Sequence, residues 1–144
     1  MSTVGWGLVA LLVLLVAAFV LLRTTRGRRP RVKVQSLPAK LVQPYESRLP
    51  EIERLFASQP REAVAAAKLL VDDMLNRMGY PVRISNEERV RDLRGRNRRL
   101  ADSYRSAANL RSDPTTEQLR QALQLYVGIA HTVLNDAAED RTAA

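Results

Sequence analysis

PREAVAAAKLLVDDMLNRMGYP, residues 60–81, decides the fold class. Val64, Ala67, Val71, Met74, Leu75 and Met78 recur at three- and four-residue spacing, which places them on one side of an α-helix. Pro60 opens the segment, where its missing amide costs nothing. Gly79 is placed to cap the far end, and Pro81 prevents the helix from resuming. Asp72 and Asp73 are adjacent, so on a helix they point about 100° apart and cannot converge as a catalytic dyad. They read as part of a solvated face.

The same periodicity continues on both sides of this helix, and no convincing alternation of the strand type interrupts it. A short helix is expected over 49–58, with Pro50 in its first turn and Leu49, Ile52, Leu55 and Phe56 on one face. After Pro81, Ser85-Asn-Glu-Glu88 fits a capping box that starts a helix carrying Val90 and Leu93. Arg94-Gly-Arg-Asn97 predicts a break, with Asn97 capping a segment that carries Leu100, Ala101, Tyr104, Ala107 and Ala108 until Asp113-Pro114 stops it. Thr115-Thr-Glu-Gln118 opens the last helix, which buries Leu119, Ala122, Leu123, Tyr126, Ile129, Ala130 and Val133. Tyr80, Tyr104 and Tyr126 fit packing positions. Four to five helices over 45–137 make a small all-α bundle, with 138–144 expected to be a disordered tail.

Upstream of the bundle the chain changes character. VGWGLVALLVLLVAAFVLL, residues 4–22, is uncharged and dominated by Leu, Val and Ala. A helix of this length spans roughly 28 Å, near the ~30 Å hydrocarbon core of a bilayer. Trp6 suits the interface at one end, and basic residues begin immediately at the other. The expectation is one transmembrane anchor over 4–22, with the N-terminus outside and everything after Leu22 in the cytoplasm. A cleaved signal peptide would carry its charge before a shorter apolar run. Residues 23–44, with Pro30, Pro38 and Pro44, read as a semi-extended juxtamembrane linker.

The net charge of +8 over 144 residues looks like that of a nucleic-acid binder, but its distribution argues otherwise. Arg23, Arg26, Arg28, Arg29, Arg31, Lys33 and Lys40 precede the first acid, Glu46, whereas residues 41–144 hold 16 basic residues against 15 acidic. Arg23, Arg26, Arg28, Arg29, Arg31 and Lys33 are sufficiently explained as topology signals that also meet anionic lipid, at about 1 kcal/mol per residue. A second cluster, Arg89, Arg91, Arg94, Arg96, Arg98 and Arg99, is the best candidate contact surface of the bundle. The alternative for these six is a solvated helix face with local Glu/Asp–Arg pairs, each worth ~0.2–0.5 kcal/mol.

Chemistry is scarce. Cysteine is absent, and with it disulfides and thiolate sites; His131 is the single histidine and is expected on the side of the last helix. No phosphate loop, nucleophile elbow or zinc spacing occurs, so no catalytic, cofactor or metal residues are assigned. If there were an enzyme site, Tyr104, Arg105 and Glu117 would be its members.

Three stretches, FASQPREAVAAAKLLVDDMLNRMGYPV (56–82), SYRSA (103–107) and TTEQLRQALQLY (115–126), resemble a bacterial family of small helical proteins, many attached to a membrane segment. The matching positions are Pro60, Ala63, Val64, Gly79, Tyr80, Pro81 and Val82, then Tyr104, Arg105 and Ala107, then Thr116, Glu117, Leu119, Arg120, Ala122 and Tyr126. The chain departs from that pattern at Arg94-Gly-Arg-Asn97, where relatives have a His-Pro-like break, and at Val127, where they carry arginine. Any role of that arginine is not transferable. The resemblance implies a helical bundle often attached to a membrane segment and brings no established activity; with the anchor, it leads to the expectation of a bacterial inner-membrane protein whose soluble domain is cytoplasmic. Together these features suggest a non-enzymatic, membrane-tethered adaptor or complex subunit with a protein partner. The alternative is a binder of anionic lipid, and less so of nucleic acid, through residues 89–99.

Overall fold

The computed structural model describes residues 33–143, and among them are five helices and no strand. They are α1 (Ala39–Leu55), α2 (Pro60–Arg77), α3 (Asn86–Arg94), α4 (Arg98–Ala108) and α5 (Thr116–Thr142). The chain is all-α over these residues, as its periodicity predicts. Residues 4–22 and Arg23, Arg26, Arg28, Arg29 and Arg31 lie outside the described residues, so the anchor stands on sequence alone. No described helix is long and apolar enough to cross a membrane.

Helix α2 follows its sequence closely. Pro60 occupies the first turn, and Val64, Ala67, Leu70, Val71, Met74 and Leu75 are buried. Each large member of this stripe contributes about 1.5–3 kcal/mol by leaving water. It packs along α5, which supplies Leu119, Leu123, Tyr126, Ile129, Ala130 and Val133 as expected, and also Leu134 and Ala137. Helix α1 packs against both, α4 against α5, and α3 against α4. One continuous apolar core results, running from Leu37 to Ala137.

Three expectations are corrected. The first helix begins at Ala39 instead of Leu49 and contains both Pro44 and Pro50. Proline inside a helix normally costs ~3 kcal/mol. Here both rings are on the exposed side, where water can serve the carbonyls left without an amide, while Val42, Tyr45, Leu49 and Ile52 seal the inner side. Packing outweighs propensity. Second, residues 33–44 are not a free linker. Leu37 is buried, the Gln35 amide donates to the Met78 carbonyl at 2.9 Å, and α1 follows at once. Third, α5 continues through Thr142, so the expected tail is helical up to that residue.

The helix ends divide in the same manner. Asn97 accepts from the Leu100 amide at 3.1 Å, and Thr115 with Gln118 forms a full capping box. Ser85 makes no cap bond; its hydroxyl donates to the Glu87 carboxylate instead. Helix α4 stops at Ala108, five residues short of Asp113.

Gly79 is the tightest of the described glycines. Its φ of +97° is the left-handed cap conformation. A Cβ there would lie 2.8 Å from the Lys33 carbonyl oxygen. Only glycine admits the incoming strand of chain at this place, and Lys33 is thereby held against the end of α2.

Candidate functional site

The most buried charge in the bundle is Arg89, on α3, with 1% of its surface exposed. Its Nη1 donates to the Pro81 carbonyl at 2.9 Å and its Nη2 to Asn76 Oδ1 at 2.8 Å. Nε stands 3.3 Å from Asp72 Oδ1, an ion pair without the alignment of a hydrogen bond. Asp72 also accepts from Tyr104 Oη at 2.8 Å on Oδ1, and from Lys68 Nζ at 2.7 Å on Oδ2. Tyr104 in turn meets Tyr126 edge-on, with ring centroids 5.7 Å apart. Burial first, and then the bond to Asp72, hold the Tyr104 phenol far above its usual range; burial does the same for Tyr126.

This cluster differs from what the sequence suggests at two points. Asp72 is not part of a solvated face but the hub of a network linking α2, α3 and α4. Arg89 does not belong to an exposed arginine surface. A desolvated guanidinium needs compensation: two hydrogen bonds occupy Nη1 and Nη2, and the Asp72 charge faces the Nε that has no hydrogen bond of its own. The network fixes how α3 lies on the bundle. Asp73, one residue on, accepts from Tyr45 of α1, so the two adjacent acids point to different helices.

The remaining arginines fall into two groups. Asn86, Val90 and Arg94 repeat every four residues on α3 and face Arg105 and Ala108 of α4 and its cap residue Asn109. With Glu87 and Arg91 they enclose a cleft of about 480 Å³ between the helices. Three guanidinium groups, those of Arg91, Arg94 and Arg105, thus rim an apolar floor of Val90 and Ala108. The turn at Gly95 and Arg96 folds α4 back on α3 and brings Arg105 into the cleft. No local spacing links Arg105 to Arg91, which is why the sequence does not reveal the pairing.

Charge in the cleft is partly neutralised, since Glu87 lines it beside the three arginines. Arg94 and Arg105 approach Asp102 at 4.0 and 3.8 Å, all three side chains being about half exposed. Pairs of this kind contribute ~0–1 kcal/mol and leave the guanidinium forks open. Arg98 and Arg99 lie with Asp102, Ser103, Ser106 and Leu125 along a shallow depression of about 470 Å³. Among the described residues Arg91, Arg96, Arg98 and Arg99 make no ion pair within 4.0 Å. The local pairs expected along α3 do not form: Asp92 is taken by Arg83 at 2.6 Å, and Glu87 by Ser85. Chemically the cleft suits a carboxylate or phosphate, which a guanidinium meets with two parallel hydrogen bonds.

Tyr104, Arg105 and Glu117 do not come together. Tyr104 points into the core, Arg105 into the cleft, and Glu117 is exposed on α5, accepting from Arg120 at 2.8 Å. His131 is exposed on α5, and no group of three potential metal ligands occurs among the described residues. Lys33 is exposed at the edge of the bundle. Comparison with protein families, with curated proteins and with solved structures finds no match to this chain.

Proposed function

We propose that this protein is a membrane-tethered helical adaptor, in which residues 4–22 form the anchor and the α3–α4 cleft receives an acidic segment of a partner protein. The observation that carries this reading is the convergence of Arg91, Arg94 and Arg105 on one cleft with an apolar floor. Guanidinium groups around apolar surface are the usual makings of a protein contact, because the forks select carboxylates and the floor excludes water. The polar groups that could do chemistry elsewhere, Asp72, Lys68 and Tyr104, are engaged with one another. The uncharged stretch 4–22 with its basic flank supports the anchor and a cytoplasmic bundle; a bacterial inner-membrane setting rests on the family resemblance.

The test is cross-linking of the full-length chain in its native membranes, beside a variant with Arg91→Glu, Arg94→Glu and Arg105→Glu. A discrete protein joined to the wild type and missing from the variant supports the adaptor. Binding of the wild-type chain to anionic vesicles alone, lost in the variant, would reassign the cleft to lipid phosphate.

A further inference from the structure

The loop between α2 and α3 is built to display two apolar side chains. Val82 is 77% exposed, and Ile84 is as exposed as a side chain can be. Their neighbours are all tied down. Tyr80 is buried, the Pro81 carbonyl accepts from buried Arg89, and Arg83 grips Asp92 through Nε at 2.6 Å and Nη2 at 3.3 Å. Alternate residues of the loop therefore face inward, and Val82 and Ile84 stand out on a fixed backbone. A single exposed isoleucine is unremarkable, but two on one braced loop form a tip.

The position of that tip is what gives it meaning. The N-terminal part of the chain joins the described domain at Lys33, whose carbonyl lies against Gly79. Ile84 is five residues from Gly79, hence within about 18 Å of it. Between Leu22 and Lys33 lie only residues 23–32, a length of chain that can span at most about 36 Å. Four of the five arginines in that stretch fall at positions 26–31, where an anionic surface would draw them closer.

We infer that the loop tip of Val82 and Ile84 inserts into the headgroup region of the bilayer that carries the anchor, fixing which side of the bundle faces the membrane. This rests on the anchor reading above. Two apolar side chains on a braced loop suit the boundary between headgroups and acyl chains, and exposed Lys33 meets the base of that loop at Gly79. The tether supplies the high local concentration of membrane that so small a contact needs.

The absence of cysteine makes the test direct. Full-length protein carrying Ile84→Cys or Ser58→Cys is labelled with an environment-sensitive dye and reconstituted in phosphatidylcholine–phosphatidylglycerol vesicles. Ser58 is exposed beyond the opposite end of α2, about 27 Å along the helix from Gly79. The Ile84 label is expected to shift to the blue and to be quenched by aqueous iodide severalfold less than the Ser58 label. Retention of the protein in vesicles after an alkaline wash reads the anchor separately. Retained protein with an Ile84 label as open to iodide as that at Ser58 overturns the loop contact alone. Protein released by the wash overturns the anchor, and the loop contact with it.

Discussion

Tyr104 and Asp72, thirty-two residues apart in the chain, are joined by a hydrogen bond of 2.8 Å. The same carboxylate oxygen stands 3.3 Å from the Nε of buried Arg89. Among the described residues Asp72 is the only acid within 4.0 Å of the buried Arg89 guanidinium. Asp72→Ala leaves Arg89 uncompensated, and urea unfolding should show a loss of about 3–5 kcal/mol. Arg89→Met should cost distinctly less, because Asp72 keeps Lys68 and Tyr104 and a path to solvent. Equal losses in the two variants would mean that charge compensation is not what the network provides.

Gly79→Ala meets two obstacles at once, a left-handed backbone and the Lys33 carbonyl at 2.8 Å. Backbone conformation alone costs about 1–2 kcal/mol, and the clash must move residues 33–35 off the end of α2. Hydrogen exchange at the Gln35 amide should accelerate together with the drop in stability. An unchanged Gln35 amide would show that the segment is not pinned through this contact.

Pro50 lies deep inside α1 on its exposed side. Pro50→Ala restores an amide to the helix, and although the unfolded chain regains freedom, the change should be net stabilising by about 1–2 kcal/mol. The midpoint of urea unfolding reports it. A destabilised variant would show that the proline ring makes a packing contribution of its own.

Alkaline pH should unfold the bundle through its tyrosines. Burial, then the bond to Asp73, raises Tyr45 from 10 to about 12. Burial likewise raises Tyr80, Tyr104 and Tyr126. A phenol that holds its proton more tightly when folded stabilises fully below its unfolded value of 10, and that contribution falls as pH rises from there through the folded value. Tyrosinate absorbance should therefore appear together with loss of helical circular dichroism, between pH 10 and 12. Tyrosinate forming well before any loss of helix would contradict the burial assigned to these rings.

What the sequence makes legible is local. Residues 60–81 announce α2 because periodicity, an opening proline and a closing glycine agree within one segment. Thr115 and Asn97 mark helix starts for the same reason. Helix α1 is missed at its beginning because Pro44 and Pro50 are local signals against a helix, whereas its four buried residues succeed only against α2 and α5. Asp72 resembles a solvated acid until Arg89 and Tyr104 arrive from α3 and α4, contacts that no spacing within α2 encodes. The arginine run between positions 89 and 99 is visible as composition. Its division into one buried residue, two cleft residues and an open flank requires the fold.

The most direct test of the adaptor is the cross-linking comparison in native membranes. Arg91, Arg94 and Arg105 are exposed, so replacing all three with glutamate should shift stability by only about 0.5 kcal/mol per site. A discrete acidic protein should be bound to the wild-type chain, resist nuclease, and be lost from the folded charge-reversed variant. The same partner captured equally by both forms, or nothing but nuclease-sensitive material with the wild type, would contradict it.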